Sequence, residues 1–241
     1  MSQHCFEMKG MIPMDEKFID AVVFDLDGVI TDTAHYHFLA WRDLAREINI
    51  DIDEMFNERL KGVSRMASLE LILQEGNRQN DFSLSEKEEM AEKKNQHYCQ
   101  FLKQLTPHDI LPGIIELITA IKSEGVPIGL ASVSRNASTV LKALQLEDTF
   151  DYVVDASKVK KSKPDPEIFL TACNQLEANP KRSIGIEDAS AGIDSIKASE
   201  MFAVGVGNTL FKSDYQVDAT NELDWEVIKA EYIKSVKVTR S

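Results

Sequence analysis

Apolar residues along this chain follow two spacings, and the spacing switches repeatedly. Short, nearly continuous apolar runs occur at Ile19–Val23, Ile128–Ala131, Tyr152–Val154, Ile184–Ile186 and Phe202–Val206. Runs of that length, bounded by polar and turn residues, read as buried strands. Between them apolar residues recur three and four positions apart, as in Ile114, Ile115, Leu117, Ile118 and Ile121, and again in Val140, Leu141 and Leu144. The stripe Ile168, Phe169, Ala172, Leu176 after Pro166, and the segment Ile193–Ala198, continue the series. These spacings predict helices, the first of them closed by Gly125. Strands alternating with helices predict a parallel sheet covered by helices on both faces.

A second region breaks that alternation. From Ala34 to about Thr106 the pattern is helical, with Phe38, Leu39, Trp41, Leu44, Ala45 and Ile48, then Leu69, Leu71, Ile72 and Leu73, then a charged stretch from Ser85 to Leu105. Hinge-like passages bracket it at Thr31–Tyr36 and Thr106–Gly113, the second stiffened by Pro107 and Pro112. The expected organisation is therefore a Rossmann-like α/β core from 18–33 and 110–241, with an inserted α-helical cap domain over 34–109. Residues 1–17 show no periodicity and read as a disordered leader to which no function is assigned.

Composition narrows this little. The hydrophobic fraction of 43% is ordinary for a globular protein. The charge balance says more: 27 basic against 40 acidic residues leave a net charge of −13. Such a surface repels nucleic acid and anionic lipid, so neither is an expected partner. It repels phosphorylated molecules too, so any phosphate site must be locally basic; Lys61, Arg65 and Lys163 are the candidates. Cys5, Cys99 and Cys173 are too few and too scattered for a disulfide framework or a zinc site, and Cys173 lies on an apolar stripe. No apolar run approaches membrane-spanning length, and no signal-peptide core is evident. The expected location is the cytoplasm.

Candidate chemistry lies at the carboxyl ends of the expected strands, where ligands of such sheets bind. The first strand runs into Phe24-Asp25-Leu26-Asp27-Gly28. Side chains in a strand repeat every two residues, so Asp25 and Asp27 share a side. Two such acids can hold a hard cation, or divide nucleophilic and proton-transfer work between them. Ile128–Ala131 leads into Ser132-Val133-Ser134-Arg135-Asn136, where a strand gives way to a helix whose free N–H groups favour an anion. Ser183–Ile186 leads into Glu187-Asp188, and Lys161-Ser162-Lys163-Pro164 precedes a helix. Each feature also has a plainer reading: an acidic turn, a helix cap at Ser134, Asn136 or Asp188, a surface lysine.

The order Asp-x-Asp, Ser, Lys-Pro, Glu-Asp resembles that of the haloacid dehalogenase superfamily of phosphotransferases. Within it, Phe24–Thr33, Leu60-Lys61-Gly62-Val63-Ser64-Arg65, Ala131–Asn136 and Ser183–Asp188 are similar to the β-phosphoglucomutase family. The resemblance covers roughly Val22 to Val206. It implies Asp25 as nucleophile and Asp27 as general acid and base. It implies Ser132 and Lys163 as stabilisers of the transferring phosphoryl group. Mg²⁺ is the implied cofactor, held by Asp25, the Asp27 carbonyl and Asp188, with Glu187 beside it. Arg65, Ser134, Arg135 and Asn136 would grip the non-transferring phosphate, and Lys61, Gly62 and Val63 would read the sugar. Thr33, His37, Trp41 and Lys94 complete the expected substrate-binding set. His37 and Lys94 have plain readings as a packed histidine and as part of a solvated charged face. Lys61–Arg65 could equally be a solvated loop. Val133 is bulkier than the alanine the resemblance leads one to expect.

The implied reaction interconverts β-D-glucose 1-phosphate and β-D-glucose 6-phosphate through the 1,6-bisphosphate. A sugar-phosphate phosphatase built on the same acids is the first alternative, and a non-catalytic sugar-phosphate sensor the second. Expected partners are small sugar phosphates, and the expected state is a monomer.

Overall fold

The structure, a computed structural model, describes residues 18–239; the expected leader 1–17, with Cys5, lies outside the described residues. Six parallel strands form one sheet: β1 (Ala21–Phe24), β2 (Ile128–Leu130), β3 (Tyr152–Val153), β4 (Ser183–Glu187), β5 (Phe202–Val206) and β6 (Tyr215–Val217). Their spatial order is β3-β2-β1-β4-β5-β6. The order reverses at β1, which lies between β2 and β4, so the crevice for a ligand opens beyond the carboxyl ends of these three strands.

Alternation along β1 sorts the core into two layers. Val22 and Phe24 face one side, in a cluster with α5 (Ile114–Ser123), α6 (Ala137–Ala143) and α9 (Trp225–Thr239). Ala21 and Val23 face the other, against α7 (Glu167–Gln175) and α8 (Ser190–Ala198). Full burial of a side chain such as Phe24 or Ile128 contributes about 1.5–3 kcal/mol each. β6 and α9 were not expected from the pattern. Tyr215-Gln216-Val217 has a polar centre and no apolar run around it. α9 buries Trp225, Ile228 and Tyr232 on a face otherwise interrupted by lysine and glutamate.

The helical region comprises α1 (Ala34–Glu47), α2 (Glu54–Asn57), α3 (Arg65–Glu75) and α4 (Leu84–Leu102). It has its own apolar cluster, including Phe38, Trp41, Leu44, Leu69, Ile72 and Leu73. The charged α4 starts on a capping box, in which Ser83 and Glu86 bond each other's backbone N–H. The chain leaves and re-enters the α/β part through paired backbone. Thr31 bridges Ile110, the Leu111 N–H donates to Ile30 O at 2.9 Å, and the Thr31 hydroxyl donates to Asp109 O at 2.7 Å.

Candidate active site

Two acids follow β1. The Asp25 N–H still donates to Ile186 O at 2.9 Å, so the buried Asp25 is fixed as an extension of the strand. Gly28 then turns the chain at φ 79°, and a Cβ there would overlap the Asp188 carboxylate. Glycine at 28 thus both makes the turn and lets the end of β4 approach the end of β1. Gly192 plays a similar part on α8, where a Cβ would collide with the Glu187 carboxylate. Carboxylate oxygens of Asp25, Glu187 and Asp188 consequently lie within 4.8 Å of one another.

A buried lysine sits among them. Lys163 Nζ is 2.5 Å from Asp25 and 2.9 Å from Glu187. Burial works against its ammonium, but Asp25 and Glu187 outweigh that and hold the lysine more basic than usual. One lysine does not balance the acids. Burial, then Asp25, pushes Glu187 well above the carboxylate range and Asp188 up to about 7. Asp27 is likewise pushed up to about 7, by burial and then by Asp25, although the Thr33 hydroxyl donates to its carboxylate. Lys61 leans in from the helical side, its Nζ 3.8 Å from Asp188 and 3.1 Å from Glu58.

Beyond β2, the Ser132 hydroxyl accepts the Ser134 N–H at 3.1 Å, and the Ser134 hydroxyl accepts the Asn136 N–H at 3.3 Å. These bonds order the loop leading into α6. Neither Asn136 nor Asp188 caps a helix with its side chain, so those plainer readings fail. Asn136 instead donates to Asn95 Oδ1 on α4 at 2.7 Å, and Arg65 donates to the same oxygen at 2.8 Å. Arg65 also reaches Glu92 at 3.2 Å.

The helical part and the sheet ends enclose a cavity of about 900 Å³. Asp25, Asp27, His37, Trp41, Lys61, Gly62, Val63, Arg65, Lys94, Ser132, Ser134, Arg135, Asn136 and Asp188 all line it. Three expected residues stand elsewhere. Lys163 and Glu187 are buried just behind the wall, bonded to each other. Thr33 corrects an expectation: it is fully buried and bonded to Asp27 and Tyr98 rather than presented to a substrate. Its place on the first turn of the outgoing chain turns the hydroxyl inward.

A family model for haloacid dehalogenase-like hydrolases matches residues 19–200. The chain belongs to that family. It is 48% identical over 214 residues to the β-phosphoglucomutase of Bacillus subtilis, covering 88% of this chain and 95% of that one. It is 32% identical over 183 residues to a phosphorylated carbohydrates phosphatase of Thermotoga maritima, covering 75% and 82%. The crystal structure of a β-phosphoglucomutase from Clostridium difficile superposes with a TM-score of 0.89 at 52% identity, covering 90% of this chain and 99% of that one.

For a haloacid dehalogenase-like protein a divalent metal is implied, and the donor set here fits one. Three crowded carboxylates offer oxygen ligands only, and their uncompensated charge is what a hard cation would relieve.

Two residues beside the site were hidden by the sequence pattern. Tyr98 is fully buried, its hydroxyl 2.9 Å from Thr33 and its ring stacked on His37 at 3.9 Å. Asn95 ties Arg65 to Asn136. Both lie on α4, whose charge drew attention away from the spacing of its buried Ala91, Lys94, Tyr98 and Leu102. Lys94 overturns its plainer reading as part of a solvated face. It is 3% exposed, with Nζ 2.7 Å from His37 Nδ1 and 4.6 Å from the Trp41 ring centre. Burial, then Arg65, brings its pKa down to about 7, and burial and Lys94 drive His37 well below its usual value.

Proposed function

We propose that the chain interconverts β-D-glucose 1-phosphate and β-D-glucose 6-phosphate through β-D-glucose 1,6-bisphosphate. The observation that carries this reading is that one cavity has a phosphoryl-transfer end and, apart from it, a cationic end. At one end stand Asp25, Asp27 and Ser132 at the strand termini. At the other, Arg65 from the helical side and Arg135 from the α/β side both line the cavity, and burial and then the nearby Arg135 work against the Arg65 charge. Two guanidinium groups lining one end of a cavity attract a phosphate there, and a bisphosphate brings one to each end. The identity with the Bacillus subtilis enzyme supports the same conclusion.

In this reading residues 34–109 act as a cap over the core of 18–33 and 110–241. Asp25 Oδ attacks phosphorus, forming an aspartyl phosphate as the bond to the sugar oxygen breaks. Asp27 gives that oxygen its proton, and takes one from the sugar hydroxyl when the phosphoryl group returns. A side chain with pKa about 7 suits both tasks at neutral pH. Thr33 and Tyr98 hold Asp27 in place. Lys163 orients Asp25 through their ion pair, and Glu187 holds Lys163 there. Ser132 faces the transferring group. Mg²⁺, held by Asp25, Asp188 and the Asp27 carbonyl beside Glu187, would neutralise charge on the phosphoryl oxygens.

A phosphatase differs only in offering water to the aspartyl phosphate, which a closed cap excludes. Arg65 at the far end argues for retaining a bisphosphate instead. A sensor would not need nucleophile, acid and lysine brought together as they are here. We assign the chain to the cytoplasm as a monomer acting on small sugar phosphates. Among the described residues no helix is long and apolar enough to cross a membrane.

Activity is expected to vanish on exhaustive chelation and to return with Mg²⁺. Asp188→Ala should shift the Mg²⁺ concentration for half-maximal rate upward; an unchanged metal titration would remove Asp188 from the site. The test of the reading itself is Arg65→Ala. Mutase kcat/KM should fall about 10- to 100-fold, the scale of one charge-assisted hydrogen bond. Phosphorylation of Asp25 by acetyl phosphate, which has no distal phosphate, should persist. Equal losses in both would place Arg65 in the chemistry or the fold, and no loss in either would favour the phosphatase.

A further inference from the structure

The loop between β3 and α7 carries four lysines within six residues, Lys158, Lys160, Lys161 and Lys163, in a chain of net charge −13. Their fates differ. Lys163 turns inward to Asp25 and Glu187. Lys158 is not among the cavity's lining residues and pairs with Asp155 at 3.2 Å. Lys160 and Lys161 are exposed, yet both line the cavity.

The loop is held in that attitude. Backbone N–H groups of Lys160 and Lys161 donate to the two carboxylate oxygens of Glu167 at 3.0 and 2.8 Å, anchoring them to the first turn of α7. The other cavity cations on the helical side are engaged: Lys61 with Asp188 and Glu58, Arg65 with Glu92, Lys94 with His37. Among the described residues Lys160 has no carboxylate within ion-pair distance, and Lys161 has only Asp165, at 3.1 Å.

We propose that Lys160 and Lys161 form a cationic entrance that captures sugar bisphosphates and sets their association rate. This rests on the mutase reading for the identity of the ligand. The physical need is plain: a bisphosphate approaching a protein of charge −13 is repelled until a local field of opposite sign overrides the global one. Lysine suits the task, being a hydrated, mobile point charge that attracts phosphate without fixing its geometry. The two residues lie at the rim and touch no reacting atom, so they act on arrival and leave the chemical step alone.

The test is stopped-flow binding of glucose 1,6-bisphosphate, followed by tryptophan fluorescence, since Trp41 lines the cavity. Wild type, Lys160→Gln/Lys161→Gln and the control Lys158→Gln are compared. At about 0.01 M salt, where the screening length is about 30 Å, the double variant should associate roughly three- to tenfold more slowly. The difference should shrink to less than twofold at about 0.15 M, where that length is about 8 Å. Dissociation rate and kcat should stay within twofold, and Lys158→Gln should match wild type. Equal association rates for wild type and double variant at low salt would overturn the proposal. So would a loss confined to dissociation or kcat. Failure of the mutase reading would show separately, as wild type without turnover of either glucose phosphate. The same rate comparison with inorganic phosphate as the anion then decides the role of the lysines.

Discussion

Asp25→Asn is expected to leave no more than trace turnover. The amide cannot form the mixed anhydride through which the phosphoryl group passes, and no neighbouring carboxylate can replace it. Asp27 is held by Thr33, Glu187 is committed to Lys163 behind the cavity wall, and Asp188 faces Lys61 and is the proposed metal ligand. The variant should still fold. Lys163 keeps Glu187 as its partner, and one of three crowded carboxylates has lost its charge. Mass spectrometry after incubation with acetyl phosphate should show a phosphoryl adduct on wild type and none on the variant. Turnover above trace level in Asp25→Asn would mean that the nucleophile is another residue.

Asp27→Asn is the second large effect. Removing a general acid–base group usually lowers rate by about 10²–10⁴-fold, and here the loss should fall on kcat. The Thr33 hydroxyl can donate to an amide oxygen as well as to a carboxylate, so the side chain should stay in place. Formation of the aspartyl phosphate from acetyl phosphate, whose leaving group needs little protonation, should suffer much less than formation from a glucose phosphate. Equal losses with the two donors would place Asp27 in phosphate or metal binding instead. The contrast with Asp25→Asn, which should abolish both reactions, separates nucleophile from proton carrier.

These two acids were legible in the sequence because strand ends in a parallel sheet are where ligands bind and a strand repeats every two residues. The same reasoning brought Ser132 and Asp188 to one place, and the structure puts all four on one cavity. What could not be read had specific causes. β6 has Gln216 at its centre and so lacks the continuous apolar run by which the other strands were read. α4 hides its buried side chains among charged ones, so Asn95 and Tyr98 went unseen and Lys94 offered a plain reading as solvated. That reading fails because His37 and Trp41 cover Lys94, a contact between helices that spacing along one helix does not contain. Thr33 was assigned to substrate, whereas its contacts are Asp27 and Tyr98, the latter 65 residues away in sequence. For Lys94 and Thr33 the missing information was a tertiary partner, and local pattern carries none.

The central claim is that the phosphoryl group on Asp25 returns to the sugar and does not pass to water. A phosphorus NMR time course measures this directly, with β-glucose 1-phosphate, Mg²⁺ and a trace of glucose 1,6-bisphosphate. The glucose 1-phosphate signal should be replaced by glucose 6-phosphate, with inorganic phosphate at no more than trace level. Inorganic phosphate appearing in step with loss of substrate, and no glucose 6-phosphate, would contradict it.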